Sequence, residues 1–334
     1  MLFPTTSLVA FCLLALSFLC LGLWPACFRA AGSRYRFEIF SFDFALGAIL
    51  LSLAAAYTFG TLGSDLNFSD TMLVAGRRSQ VFAVLAGIAF ALGNMLLLCT
   101  ISLLGMARAS LLSFSLASFV VAGLAITRAN LVFSSAASCL FLLSFALALV
   151  AAKALRSSSR PVPVAKRTAK QPLSNATKGI ITGTLSGLAL GAFLPVLGLS
   201  QTEELGIGAY GGMLMACLGI LLSTPLFNFY FMTLAIEGES LTFASYFQGK
   251  RRNRLLGFCG GVIWAAGALA LWVVVTAPKN LSLIPLLLWL VPFLAALLTI
   301  LYGLFGAKNE VPGSKFILGG VLCFLAASVL LAMK

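Results

Sequence analysis

The chain contains no histidine, and only 9% of its 334 residues are charged. The first absence removes the commonest general base and the commonest transition-metal ligand. The second excludes an ordinary soluble domain, in which roughly a quarter of residues carry charge. Acids are the scarcest charged class, nine against 22 Lys plus Arg, for a net charge of +13. In a soluble protein that excess would point to nucleic acid. Here the basic residues stand between apolar runs, where they set topology, and no nucleic-acid partner is expected. CxxC pairs are also missing: Cys12, Cys20, Cys27, Cys99, Cys139, Cys217, Cys259 and Cys323 all fall inside apolar runs. They read as small buried apolar side chains, with no disulfide framework and no metal site. A GxxxxGK[ST] run is absent too, so nothing supports ATP binding, and no cofactor is expected.

What the chain has is hydrocarbon, with 61% of its residues apolar. A transmembrane helix takes about 20 of them. The pattern predicts ten spans, at 4–28, 37–62, 80–102, 104–126, 130–154, 179–200, 207–235, 254–277, 281–305 and 312–333. The boundary at Gly105 is soft. No Lys or Arg precedes the first span, and its apolar run exceeds a signal-peptide core, so it reads as a retained helix. The expected fold is therefore an all-α polytopic membrane protein.

Residues 155–178 are rich in Ser, Pro and Lys and lack apolar periodicity, which marks them as a linker. They divide the chain into 1–154 and 179–334, with five spans each. Because five is odd, the second half enters the membrane from the opposite side. A faint internal echo accompanies this. Gly87, Phe90 and Gly93 of the third span match Gly261, Trp264 and Gly267 of the eighth, and Trp24-Pro25 matches Leu194-Pro195. The expectation is two inverted five-helix repeats, the architecture of many secondary transporters. Seventeen of the 22 basic residues fall on the linker's side of the ten spans and five on the side of the termini. The positive-inside rule then puts the linker in the cytoplasm and both termini outside, in the cell (inner) membrane.

Among the acids, Asp43 lies well inside a span. An ionised carboxylate at the centre of a span costs about 2.5–3.5 kcal/mol even on the gentlest scale. Asp43 therefore either faces a cavity, a cation or a substrate, or pairs with Arg34 or Arg36. As a group able to change charge between two states, it is the candidate for proton coupling. Asn94 and Asn228 lie mid-span, where each amide can read a polar ligand or bond a neighbouring helix. Trp24 and Trp264, and less so Tyr210, are aromatic walls of the kind that suit sugars and flat heterocycles, although interfacial anchoring is the commoner role. Pro25, Pro195 and Pro225 free backbone carbonyls for a substrate or for neighbouring helices. Ser113, Ser115 and Ser118 share one helix but can bond their own backbone. The constellations of intramembrane enzymes are missing: no histidine for a serine protease, no second intramembrane aspartate for an aspartyl protease, no aspartate-rich loops for a polyprenyl transferase. A catalysed chemical step is not expected.

The run Cys20-Leu-Gly-Leu-Trp-Pro-Ala26, with Arg36-Phe-Glu-Ile-Phe-Ser-Phe-Asp-Phe44 and Ala91-Leu-Gly-Asn94, resembles the ureide permease family and its bacterial relatives. The second half is similar at Phe227-Asn-Phe-Tyr-Phe-Met232 and over Tyr246 to Trp264, including Gly249, Leu256-Gly257 and Gly260-Gly-Val-Ile-Trp264. Leu301-Tyr-Gly-Leu-Phe305, followed by Glu310, looks like the end of a repeat in the wider drug/metabolite transporter superfamily. The resemblance implies a ten-helix fold that moves small polar metabolites, either ureides and nucleobases or sugars, usually with protons. The chain departs from the pattern at Gly267-Ala-Leu-Ala-Leu271, which is wholly apolar, and at Arg254, where a histidine is expected. The expected function is alternating-access transport by a permease. The rival is a membrane receptor or scaffold that transports nothing.

The orientation has a direct test. Single cysteines placed in 155–178 should react with an impermeant thiol reagent only from the cytoplasm, and those at Glu203 or Glu204 only from outside. The reverse pattern would overturn both the orientation and the span count.

Overall fold

A computed structural model describes residues 3–4, 6–32, 35–62, 67–124, 131–158, 173–201, 206–233, 236, 241, 244–247, 249–277, 284–306 and 313–332. Arg34, Glu203, Glu204, Glu310 and most of the linker (159–172) lie outside the described residues. Within them the fold is all helix, with no strand. Ten long helices run in order: α1 (Ser7–Ala31), α2 (Phe37–Tyr57), α4 (Arg77–Leu104), α5 (Met106–Leu124), α6 (Leu131–Ser158), α7 (Asn175–Leu199), α8 (Gly208–Thr233), α10 (Arg251–Val275), α11 (Ile284–Phe305) and α12 (Ser314–Ala332). Two short ones sit between them, α3 (Phe68–Val74) and α9 (Ala244–Phe247). Neither was foreseen, because seven and four residues carry too little periodicity to separate from a loop.

Among the described residues, nine helices are long and apolar enough to cross a membrane, and α11 contributes a shorter apolar stretch, Val291–Phe305. Their surfaces agree with a lipid environment. Leu8, Phe11, Leu222, Leu226 and Phe229 are all more than half exposed, an apolar exterior that a monomer in water would not show on this scale. Cys12, Cys139 and Cys259 also lie on this exterior, so not all the cysteines are buried as expected. A thiol is apolar enough to face hydrocarbon.

The ends of the helices are fixed locally. Thr6 caps α1 by accepting from the Val9 N–H (3.4 Å), and Ser174 caps α7 by accepting from the Thr177 N–H (3.2 Å). The soft boundary is a single residue: Gly105, at φ 82° and ψ 157°, separates α4 from α5. That backbone region is essentially closed to side-chain-bearing residues. Gly32, at φ 90° and ψ 161°, ends α1 in the same way.

In lipid, helices associate through close packing and interhelical hydrogen bonds. The main pairings are α4 with α7 and α8, α10 with α1 and α2, α5 with α6, α7 and α11, α11 with α1 and α12, α6 with α12, and α2 with α8. At the tightest points backbone meets backbone. A Cβ on Gly87 would strike the Ala216 carbonyl, and one on Gly261 the Phe44 carbonyl. Serine and threonine hydroxyls reach across the seams: Ser186 donates to the Gly93 carbonyl (2.8 Å), Ser113 to the Gly183 carbonyl (3.2 Å) and Ser144 to the Gly320 carbonyl (2.9 Å). Ser113 and Ser115 thus bond other helices, Ser115 pairing with Ser144 at 2.7 Å.

Gly105→Ala should cost about 1–3 kcal/mol, the strain of its backbone region. The check is the apparent melting temperature in detergent, which should fall by several degrees. An unchanged value would mean that the α4–α5 turn relaxes freely.

Candidate functional site

Contacts between turns define two ends of the bundle. At one, the linker end, the close of α1 meets the close of α11, where the Arg29 guanidinium donates to the Tyr302 carbonyl (3.3 Å) and to the Gly306 carbonyl. Gly303 of α11 abuts Ala107 at the α4–α5 turn. Lys178, at the start of α7, donates to the Ile236 carbonyl (2.9 Å). At the other, the terminal end, Gly212 near the start of α8 lies beside Gln201 and Trp272.

Between these ends lies a cavity of about 540 Å³, within the size range of small-molecule sites. Its walls come from α1, α4, α5, α7, α8, α10 and α11, and they extend to Leu124, Gly198 and Val275 near the terminal end. Trp24, Phe90, Phe193, Trp264 and Trp272 give it aromatic faces. Among the described lining residues, Ser118 alone carries a hydroxyl, and the other polar side-chain hydrogens belong to the indoles of Trp24, Trp264 and Trp272. Neither the Trp24 nor the Trp264 indole has a hydrogen-bond partner among the described residues.

The floor of the cavity is a packed aromatic cluster. Phe90 stacks on Trp264 with centroids 4.0 Å apart and planes at 26°. Phe193 closes on both, at 5.2 and 6.0 Å. Behind them Phe44 contacts Trp24 (5.2 Å), Trp264 (5.8 Å) and Phe90 (6.3 Å). Phe40 and Phe28 continue the plug toward the linker end, 5.1 Å from one another. Below the floor the route is filled with rings.

Beyond the plug lies the polar cluster around Asp43, 5% exposed in α2. Its Oδ2 accepts from the Tyr35 hydroxyl (3.1 Å) and its Oδ1 from the Tyr246 hydroxyl (2.7 Å). Arg254 brings Nε to 3.8 Å of Oδ1, donates Nη2 to the Tyr246 hydroxyl (2.9 Å), and lies over the Tyr246 ring at 4.4 Å. Burial and the Asp43 carboxylate push the Tyr35 hydroxyl far above its ordinary range, and the same two causes raise that of Tyr246. Both phenols therefore stay protonated and donate. Gly257 allows the approach, since a Cβ there would come within 2.8 Å of the Asp43 Cβ. The result ties α2 to α9 and α10 at the linker end. Arg36 instead pairs with Glu38, Nε to Oε2 at 3.2 Å. Glu38 is itself fully buried in the first turn of α2, one residue inside the span expected at 37–62.

Of the residues singled out in the sequence, Trp24, Phe90, Ser118, Pro195 and Trp264 line the cavity. Asp43 does not. Asn94 is 2% exposed with Oδ1 unpartnered, and Asn228 is fully buried with both amide atoms unpartnered among the described residues; neither lines the cavity. Pro25 and Pro225 lie inside α1 and α8, and a fourth helix proline, Pro292 of α11, joins the lining. Tyr210 is buried near the start of α8 and is not among the described lining residues. Phe193 and Trp272 were not anticipated. Aligning Gly22 with Gly191 would have exposed Phe193, since it then stands opposite Trp24.

No family model and no curated protein sequence matches the chain. Among solved structures, one described as "Crystal structure of protein" is 13% identical, with a TM-score of 0.51 over 98% of this chain and 96% of that one. At that identity the likeness is one of fold, and it runs the length of both chains.

Proposed function

We propose that the chain is a secondary transporter built as two inverted five-helix repeats, which moves a small metabolite with a flat face by alternating access. One observation carries the reading: a ligand-sized cavity reaches from one end of the bundle to a stacked aromatic pair, Phe90 and Trp264, contributed one from each half.

The pairing of helices supports the repeat. Exchanging α1, α2, α4, α5 and α6 with α7, α8, α10, α11 and α12 turns α4–α7 into α10–α1, α4–α8 into α10–α2, and α5–α7 into α11–α1. The contacts α2–α8, α5–α11 and α6–α12 map onto themselves. Glycine contacts carry the same exchange to single residues. Gly87 meets Ala216 and Gly219 meets Val84, while Gly261 meets Phe44 and Gly47 meets Phe258. Gly93 meets Leu190 as Gly267 meets Leu21, and Gly191 meets Ala117 and Val120 as Gly22 meets Ala295 and Leu298. In this register Phe90 faces Trp264 and Trp24 corresponds to Phe193. The prolines fall one residue out of step, Pro25 beside Leu194.

The aromatic walls favour solutes with an apolar flat face, which suits the sugars, ureides and nucleobases that the resemblance to ureide permeases suggests. Proton coupling is assigned to Asp43 through the linker-end cluster. Ionised, it holds Tyr35, Tyr246 and Arg254 together; protonated, it loses its attraction for Arg254 and the closure loosens. Under this reading the linker end is cytoplasmic, and the receptor or scaffold reading predicts no saturable flux.

The test is uptake into proteoliposomes from a panel of sugars, ureides and nucleobases, with and without a pH gradient. Trp264→Ala should raise KM by roughly tenfold, the scale of a lost stacking contact. Asp43→Asn should abolish pH-driven accumulation while equal-pool exchange continues. Accumulation against a gradient by the Asp43→Asn variant would refute the coupling role. No flux with any solute would refute transport across this panel.

A further inference from the structure

Phe90 and Trp264 stand opposite one another on the exchange of halves, and the residues one turn beyond them differ in a telling way. Ala268 follows Trp264 by one turn and lines the open cavity. Asn94 follows Phe90 by one turn, on the same face of its helix, and is sealed, 2% exposed with Oδ1 unpartnered. A buried amide oxygen without a partner among the described residues costs free energy in this state, and a state that brings it a polar partner recovers that cost.

We infer that a second vestibule, closed in this structure, opens at the linker end and that Asn94 is its ligand-binding group. The inference rests on the alternating-access reading. The exchange register names the other walls. Val121 and Leu124 of the open cavity correspond to Thr299 and Tyr302, Leu197 to Phe28, and Met213 to Ser41. At Ala268, Val121, Leu124 and Met213 carbon on the terminal side is replaced on the linker side by the amide of Asn94 and the hydroxyls of Thr299, Tyr302 and Ser41, while Leu197 is matched by the carbon of Phe28. At present the Thr299 hydroxyl is held across the α1–α11 seam and the Ser41 hydroxyl by its own helix. Thr299 donates to the Gly22 carbonyl (2.7 Å), Ser41 to the Phe37 carbonyl (2.8 Å), and Arg29 clasps the end of α11 while lying over the Tyr302 ring at 5.6 Å. The terminal cavity grips a solute by its flat face. The linker-side vestibule reads its edge, through an amide that both donates and accepts. The solute class is therefore a small ring with a flat carbon face and a rim bearing hydrogen-bond donors and acceptors.

The experiment uses the full chain with its eight native cysteines replaced, carrying either Ala268→Cys or Asn94→Cys, and a water-soluble maleimide. In the parent background Ala268→Cys should label readily and Asn94→Cys about tenfold more slowly or less, as for a site exposed only in a minor state. Removing the clasp with Arg29→Ala, or the Asp43 bridge with Asp43→Asn should the first variant not insert, should reverse the order. In the unclasped background, with Asn94 intact, uracil, allantoin or glucose at millimolar concentration should protect a cysteine at the carbon wall, Phe28→Cys, toluene should not, and adding Asn94→Ala should remove the protection. If Ala268→Cys becomes protected while Asn94→Cys stays sealed, the vestibule is refuted and alternating access survives. If neither position changes, both fall. Protection by toluene, by none of the three polar solutes, or undiminished by Asn94→Ala refutes the binding role of Asn94.

Discussion

Apolar helices in a bilayer gain nothing from excluding water from one another, so their association depends on how closely their backbones approach. In this chain the closest approaches occur at Gly47 and Gly261 between α2 and α10, and at Gly87 and Gly219 between α4 and α8. Each glycine lies against a carbonyl of the facing helix, leaving no room for a side chain. These two seams hold Phe44, Phe90 and Trp264 within ring contact of one another. The cavity floor and the closure beneath it follow from that spacing.

The two ends of the bundle are held by different chemistry. Toward the terminal end the described walls are mostly carbon and leave a cavity. Toward the linker end a plug of rings is backed by a carboxylate with two phenols and a guanidinium, and by the Arg29 clasp on α11. Interactions of this second kind depend on charge and on water, so they can be made and broken without repacking the glycine seams. Arg254 is partly exposed, which limits the strength of its ion pair. A weak, titratable closure is suited to a gate, while the seams are suited to rigid halves.

Much of the helical architecture is legible in the sequence, because a run of 20 or more apolar residues has few other folds. Trp24 and Trp264 were legible as walls from their place beside proline and glycine. Asp43 was legible as a residue needing a partner, but the partner was not. Tyr246 and Arg254 stand more than 200 residues away, and Tyr246 sits on a four-residue helix with no periodic signal. Local proximity favoured Arg36, which is taken by Glu38 two residues further on. Phe193 stayed hidden because the prolines suggested a register one residue away from the one the glycines set. Proline marks where a helix lacks a hydrogen bond; glycine marks where two helices touch, and contact is what a repeat preserves.

The central claim is that the two ends open in alternation about the Phe90–Trp264 pair. Pulsed dipolar EPR tests it with one spin-label pair at Leu124 and Val275, across the terminal end, and another at Phe247 and Phe305, across the linker end. All four positions are exposed in this structure. When pH is lowered through the range in which Asp43 takes up a proton, the first distance should shorten as the second lengthens. Distances that move together, or a linker-end pair that stays fixed while the terminal pair closes, would contradict the account.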